Sequence, residues 1–296
     1  MIFAKRLDIG EKIVYHNINT KKLFFERKNI MKKVLSLVLV AVMLFSTVAM
    51  ITACSSEDKL VMATNAAFPP YEYKDGKKIV GIDAEIAEAI AGKLGKKLVI
   101  KDVDFGAIIT GVETGKYDFG MAGLTVTDER KLQVNFSDTY ATGVQVFIVK
   151  IDSKYTSIDD FFNYGEDGNP VSLKDENVKI GVQESTTGDI YSSDEIKKWG
   201  FEDKRVTRYK TGAEAVEALK KGSVDAVIID NEPAKSFVKQ NADSIKILET
   251  EYAYEDYAIA INKADTQLLA DINKALAELK ADGTLDAIIK KYIPAE

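Results

Sequence analysis

Short apolar runs and stretches with apolar residues four apart take turns along this chain. Residues 60–64 and 97–103 carry strand-length apolar runs. Between them Ile86, Ile90 and Leu94 recur every four residues, with Gly95 just past the last, which predicts a helix over 84–94. The same reading predicts a short helix over 107–113 and strands over 118–122, 144–149 and 179–183. Thr211-Gly212-Ala213-Glu214 is a capping-box pattern, so a helix opens there and runs to Lys221. Residues 224–230 form a further buried strand, and Pro233 stands where the next helix begins. Residues 245–248 and 257–262 read as strands. Residues 265–281 place Leu268, Leu269, Ile272, Leu276 and Leu279 on one face of a helix; Gly283 ends it, and residues 284–292 make the last one. The polar stretch 152–175, with Gly165, Gly168 and Pro170, reads as an extended loop.

This alternation predicts an α/β fold with helices on both sheet faces. A weak echo points to two lobes of similar build: Gly115 with Asp118, and Gly222 with Asp225, each lie between a helix and a strand. Both are equally compatible with ordinary helix stops. Ligands in open α/β sheets sit outside the carboxyl ends of strands, and Ala122-Gly123 and Asp230 fall at such ends.

The N-terminal part differs. Met31-Lys32-Lys33 opens an apolar run, 34–50, that exits through Ile51-Thr52-Ala53-Cys54. Positive start, apolar middle and small exit are the parts of a secretory signal peptide, and the cysteine makes the exit resemble a bacterial lipobox. The expectation is a signal peptide over 31–53, cleavage before Cys54, and diacylation of that residue. A retained membrane anchor is the alternative, since the run is about 20 residues long. Residues 1–30 precede the signal and carry no clear pattern, so Met31 is expected to be the true start.

Composition then removes whole classes of chemistry. The 296 residues hold 40 basic and 46 acidic side chains, of which nine basic and three acidic precede Cys54, leaving a net charge of about −12 beyond it. That surface argues against nucleic acid. The single histidine, His16, and the single cysteine, Cys54, both lie at the N-terminal end. No disulfide within the chain, no histidine-based nucleophilic triad and no typical zinc or copper site is expected beyond Cys54. No metal and no cofactor is implied.

The densest chemistry lies in Ala122-Gly123-Leu124-Thr125-Val126-Thr127-Asp128-Glu129-Arg130. Glycine admits a ligand close to the backbone, Thr125 offers a hydroxyl, and Arg130 offers a planar fork that matches a carboxylate. Thr127 followed by two acids reads as a helix cap, and a cap with a surface arginine is the plainer interpretation. Before this stretch stand Ala63-Thr64-Asn65-Ala66-Ala67-Phe68-Pro69-Pro70-Tyr71-Glu72-Tyr73, Gly81-Ile82-Asp83 and Asp104-Phe105; after it comes Phe136-Ser137-Asp138-Thr139-Tyr140. In that order, from about Leu60 to the C-terminus, the chain resembles the extracytoplasmic solute-binding proteins, family 3, that deliver polar amino acids to ABC importers.

The resemblance implies two α/β lobes of the type II periplasmic-binding-protein kind, residues 54–141 plus 257–296 and residues 142–256, joined by two crossings near 141–144 and 253–257. It implies that Arg130 takes the ligand carboxylate, with Thr125, the backbone at Ala122-Gly123, and the N–H of Thr187. Asp230 takes the ammonium with the Gly123 carbonyl, while Phe68 and Phe105 flank the ligand side chain. Asn65, Gln183 and Tyr71 face that side chain and point to a neutral polar group. The implied partners are a polar amino acid, the permease subunits of an importer, and the membrane through lipid on Cys54, at the outer face of the cytoplasmic membrane; a monomer is expected. A dehydratase-like enzyme using Glu184, Asp230 or Glu232 as its acid, and an amino-acid sensor, are the alternatives.

Overall fold

The computed structural model describes residues 59–294. The expected leader, signal peptide and Cys54 lie outside the described residues.

Two sheets carry the architecture. The chain opens with β1 (Lys59–Thr64), a small hairpin of β2 (Ala67–Phe68), β3 (Glu72–Asp75) and β4 (Lys78–Val80), then α1 (Ile82–Lys93) and β5 (Lys97–Asp102). Next come α2 (Gly106–Glu113), β6 (Phe119–Gly120), α3 (Asp128–Gln133) and β7 (Val134–Phe136). The first sheet runs β5-β1-β6-β16-β7, where β16 (Ala260–Asn262) returns late in the chain. Its β1 pairs parallel with β5 and β6.

The second sheet starts at the long β8 (Ala141–Lys150). It adds β11 (Ile180–Gln183), β12 (Val206–Tyr209), β13 (Ala226–Asp230), β14 (Ile245–Ile247) and β15 (Ala253–Tyr257). Its order is β12-β11-β13-β8-β14, with β15 also on β8. Helices α4 (Thr187–Ser193), α5 (Gly212–Lys220) and α6 (Asn231–Gln240) connect these strands, and α7 (Thr266–Ala281) and α8 (Thr284–Tyr292) close the chain. The β8–β15 pair is antiparallel with Ala141 opposite Tyr257, so two adjacent strands link the sheets.

The Gly…Asp echo has a physical basis. Gly115 and Gly222 both take the left-handed φ that ends a helix without a Cβ clash. Three residues on, Asp118 accepts the Val61 N–H at 2.6 Å and Asp225 accepts the Lys179 N–H at 2.8 Å. Each carboxylate thus ties the strand after a helix to the start of its parallel neighbour in the same sheet.

Caps fall where the residue pattern placed them. Thr211 and Glu214 form the reciprocal box, Thr127 caps α3 by accepting the Arg130 N–H, and Asp265 caps α7 through Leu268.

Three expectations are corrected. Residues 257–262 are not one strand: β15 ends at Tyr257 in the second sheet, and β16 begins at Ala260 in the first. Apolar β-rich sequence continues through that crossing, so the pattern carries no mark of the change of sheet. Residues 152–175 are not an extended loop. A 3-10 turn (Ile158–Phe161) leads into a hairpin of β9 (Phe162–Tyr164) and β10 (Pro170–Leu173), and Phe161 and Phe162 anchor it in an apolar cluster. Polar turn residues around these few aromatics hid the hairpin. The strand expected over 118–122 pairs only at Phe119–Gly120, because the backbone turns at Met121–Gly123 toward the space between the sheets.

Candidate functional site

Asn65, Phe68, Phe105, Gly123, Thr125, Arg130, Gln183, Thr187 and Asp230, chosen from sequence, all line one narrow cavity between the sheets. Most of these residues stand at strand ends or helix starts. Asn65 follows β1, Gln183 ends β11, Asp230 ends β13, and Thr187 opens α4. Ala122 is the exception: its side chain packs in the apolar cluster with Ile108 and Leu124 instead of lining the cavity. Tyr71 is likewise held in the core, edge-on to Tyr257 at 5.2 Å between ring centroids. Glu184 is exposed on an outer groove, and Glu232 pairs with Lys235 at 2.9 Å.

The local backbone explains why the cavity forms. Gly123 sits at φ 53°, and a Cβ there would lie 2.9 Å from the Phe68 ring. Its N–H donates to the Asp83 carboxylate at 2.9 Å, which pins the turn. Ser185 takes a left-handed φ of 67°, rare for a side-chain-bearing residue. The N–H of Ser185 donates to Asp189, and Arg208 grips Asp189 from the other side.

Arg130 is only 7% exposed, yet its guanidinium donates to two carbonyls, Thr125 O at 2.8 Å and Ser185 O at 3.1 Å. Among the described residues no carboxylate forms an ion pair with it. Burial pulls its pKa below the ordinary value, opposed first by the charge of Glu255. Its guanidinium carbon lies 5.4 Å from the centre of the Phe105 ring. A buried cation without an adjacent anion is costly, and the cost falls when a carboxylate arrives with the right geometry.

Asp230, 7% exposed, accepts a hydrogen bond from the Tyr257 hydroxyl. Burial raises its pKa, and the neighbouring Glu255 raises it further. The cavity therefore has an unpaired cation and a buried acid among its lining groups. Other bonds cross between the sheets. Gln183 Nε2 donates to Asn65 Oδ1 at 2.9 Å, so the two amides expected to read a ligand side chain hold each other. A Cβ on Gly106 would lie 2.8 Å from Ser185 Oγ, so a larger residue there would have to displace that hydroxyl.

Sequence reasoning passed over Glu72, Thr186, Asp83 and Glu255. Glu72 lines the cavity, is fully buried beside the Asp83 carboxyl, and among the described residues no amide, hydroxyl or cation donates to either of its oxygens. Burial pushes its pKa well up, helped by the charge of Asp83. A glutamate set inside Pro-Pro-Tyr-Glu-Tyr was the available cue, since a strand so rich in aromatics has a buried face. Thr186 caps α4 by accepting the Asp189 N–H.

Asp83 is buried beside Glu72 and accepts from Gly123 N–H and from the Tyr140 hydroxyl at 3.0 Å. Burial pushes its pKa up to about 6 from 3.8, against those two bonds. The folded state thus holds this proton more tightly than the unfolded chain does. The stabilisation from proton retention is full below pH 4 and is lost as pH rises through about 6. Ionised Asp83 then costs about 3 kcal/mol. Asp83→Asn keeps an acceptor for Gly123 and Tyr140 and offers an amide donor to Glu72. Its urea midpoint should fall less than that of wild type between pH 5 and pH 8; equal falls would contradict the assignment.

A profile of the bacterial extracellular solute-binding proteins, family 3, matches residues 60–295. The arginine-binding extracellular protein ArtP of Bacillus subtilis (strain 168) is 33% identical over 276 residues, covering 90% of this chain and all of that one. An ancestral arginine-binding protein solved with glutamine bound is 39% identical, with a TM-score of 0.69 over 80% of this chain and 99% of that one. The arginine-, lysine-, histidine-binding protein ArtJ of Geobacillus stearothermophilus is 31% identical, with a TM-score of 0.70 over 80% of this chain and 96% of its own. With these neighbours the fold is the two-lobed α/β arrangement of type II periplasmic binding proteins.

Proposed function

The chain belongs to the bacterial extracellular solute-binding proteins, family 3, and from that premise we propose that it captures a polar L-amino acid between its two sheets and delivers it to an ABC importer. The observation that carries the reading is Arg130, a buried guanidinium in the cavity wall with carbonyls but no carboxylate as partners. A ligand α-carboxylate supplies the missing anion, helped by the Thr125 hydroxyl and the backbone N–H of Thr187. The ligand ammonium goes to Asp230 and the Gly123 carbonyl. Satisfying both charges needs residues from both sheets, so bound ligand favours the closed arrangement. The lobes are residues 54–141 plus 257–296 and residues 142–256, hinged at β8 and β15. An acyl group on Cys54 would hold the protein at the outer face of the cytoplasmic membrane, beside the permease.

We read the ligand side chain as cationic, which departs from the neutral group that Asn65, Gln183 and Tyr71 pointed to. Asn65 and Gln183 are satisfied by each other, and Tyr71 faces Tyr257. Glu72 instead brings a buried carboxyl, without a donor among the described residues, to the same cavity that Phe68 and Phe105 line. A guanidinium or ammonium there would ionise Glu72 and pair with it. The names of ArtP and ArtJ agree with that class. The enzyme alternative is disfavoured because Glu184 and Glu232 do not line the cavity and Asp230 is taken by the ammonium.

A thermal-shift screen against the twenty amino acids, cystine and ornithine tests the reading, since a ligand selective for the native state raises the melting temperature by mass action. The largest shift is expected with arginine or another cationic amino acid. No shift with any of them would overturn the reading. Glu72→Gln should weaken arginine by about 30-fold while changing glutamine by less than about threefold. Equal losses for both would remove Glu72 from side-chain selection.

A further inference from the structure

Glu255 has no place in the roles above, yet it lies at the floor of the site. It sits on β15 at 5% exposure. Its Oε2 accepts the Thr125 hydroxyl at 3.0 Å and the Gln145 amide at 3.1 Å, while Oε1 is buried with no partner. Thr125 and Gln145 also approach the Thr187 hydroxyl, at 3.5 and 3.4 Å, so Glu255 draws on groups from both sheets. Gln145 lies opposite Asp230 on one side of β8 and opposite Ala253 on the other, which brings the ends of β13 and β15 together beside it. Two buried carboxyls, Asp230 and Glu255, thus flank one amide, and one of their oxygens lacks a donor.

Two adjacent buried carboxyls cannot both ionise cheaply, and burial together with the charge of Glu255 keeps the proton on Asp230. Building on the ligand roles proposed above, we infer that Glu255 is a positioning residue whose charge beside Asp230 keeps a proton on the Asp230 carboxyl, and that this proton is expelled when the ligand ammonium arrives. On binding, the carboxyl O–H bond breaks and the proton passes to bulk water. The ammonium N–H groups then donate to the Asp230 oxygens, and no electrons change hands. Glu255 also holds the Thr125 hydroxyl until the ligand carboxylate competes for it.

The charged and titratable groups facing this pair are few. Arg130 comes from α3, Tyr191 from α4 and Tyr257 from β15 itself. Tyr71 and Glu72, from the hairpin, also feel the Asp230 charge. Arg130 and the Tyr257 hydroxyl favour an ionised Asp230, whereas burial and Glu255 oppose it and prevail. The pair therefore holds its proton in the free protein and gives it up to the ligand.

The test is calorimetric titration of L-arginine into the full chain at pH 6.5, in phosphate and in imidazole, whose ionisation heats differ. It is run in the Glu72→Gln background so that Glu72 contributes no proton. Release of about one proton per arginine is expected. Adding Glu255→Gln removes the opposing charge and lowers the Asp230 pKa, although burial still raises it, so release at pH 6.5 should fall by at least about half. A merely structural role would weaken binding and leave the proton count unchanged, which would overturn the proposal. If Glu255→Gln fails to fold, the pH profile of the Glu72→Gln protein decides instead. Affinity should rise close to tenfold per pH unit from about 5.5 until Asp230 ionises in the free protein. A flat profile with binding intact overturns the proposal but keeps the amino-acid reading. No binding of any amino acid overturns both.

Discussion

Arg130→Ala should abolish amino-acid capture, weakening it by at least about 10³-fold, a loss of about 4 kcal/mol or more. The fold should survive, because the guanidinium is an unpaired buried charge and its two partners are loop carbonyls. Arg130→Lys keeps the charge but loses the fork that spans both carboxylate oxygens, so it should recover only part of the affinity. Calorimetric titration with a melting curve for each variant separates the two effects. An Arg130→Ala protein that melts normally and binds within tenfold of wild type would remove Arg130 from the site.

Gly143→Ala carries the second large effect. A Cβ at this position on β8 would lie 2.1 Å from the Tyr257 hydroxyl and 2.4 Å from the ring carbon that bears it. Tyr257 has no room to give: it is fully buried, packs edge-on to Tyr71, and donates its hydroxyl to Asp230. Relief therefore needs either a separation of β8 from β15 or a displaced Tyr257. The first disturbs the strand pair that links the two sheets, and the second leaves Asp230 without its donor. Overpacking of this kind should cost about 3 kcal/mol of stability, with affinity falling alongside. Urea unfolding at pH 7 checks it; an unchanged midpoint would show that the strands separate freely.

Much of this was legible in the residue pattern, for identifiable reasons. The helices over 82–93, 212–220 and 266–281 announce themselves through four-residue spacing and through Thr211, Glu214 and Asp265 at their starts. The parallel strands β1, β11 and β13 are buried on both faces and read as unbroken apolar runs. Nine cavity residues could be named because they cluster at strand ends and because the family resemblance aligns them.

What escaped depends on three-dimensional neighbours. Ala122 belonged to the motif, but its side chain faces the core. Asn65 and Gln183 looked available to a ligand, although 118 positions apart they close on each other. Glu255 sits in Tyr-Glu-Asp-Tyr, where strand alternation puts the two acids on opposite faces without saying which face is buried. Only the crossing of β15 against β8 places it under Thr125. The short β9–β10 hairpin was hidden for the same reason, since its aromatics matter only once Phe147 and Phe201 stand beside them.

The central claim is that the cavity recognises a free α-carboxylate and a free α-ammonium at once. The most direct test is titration of the best-binding L-amino acid against its methyl ester and its N-acetyl derivative. Each derivative removes one charge and leaves the side chain intact. The free amino acid should bind, and both derivatives should bind at least about 100-fold more weakly, because each leaves Arg130 or Asp230 buried without its partner. Either derivative binding within about threefold of the parent would contradict the account.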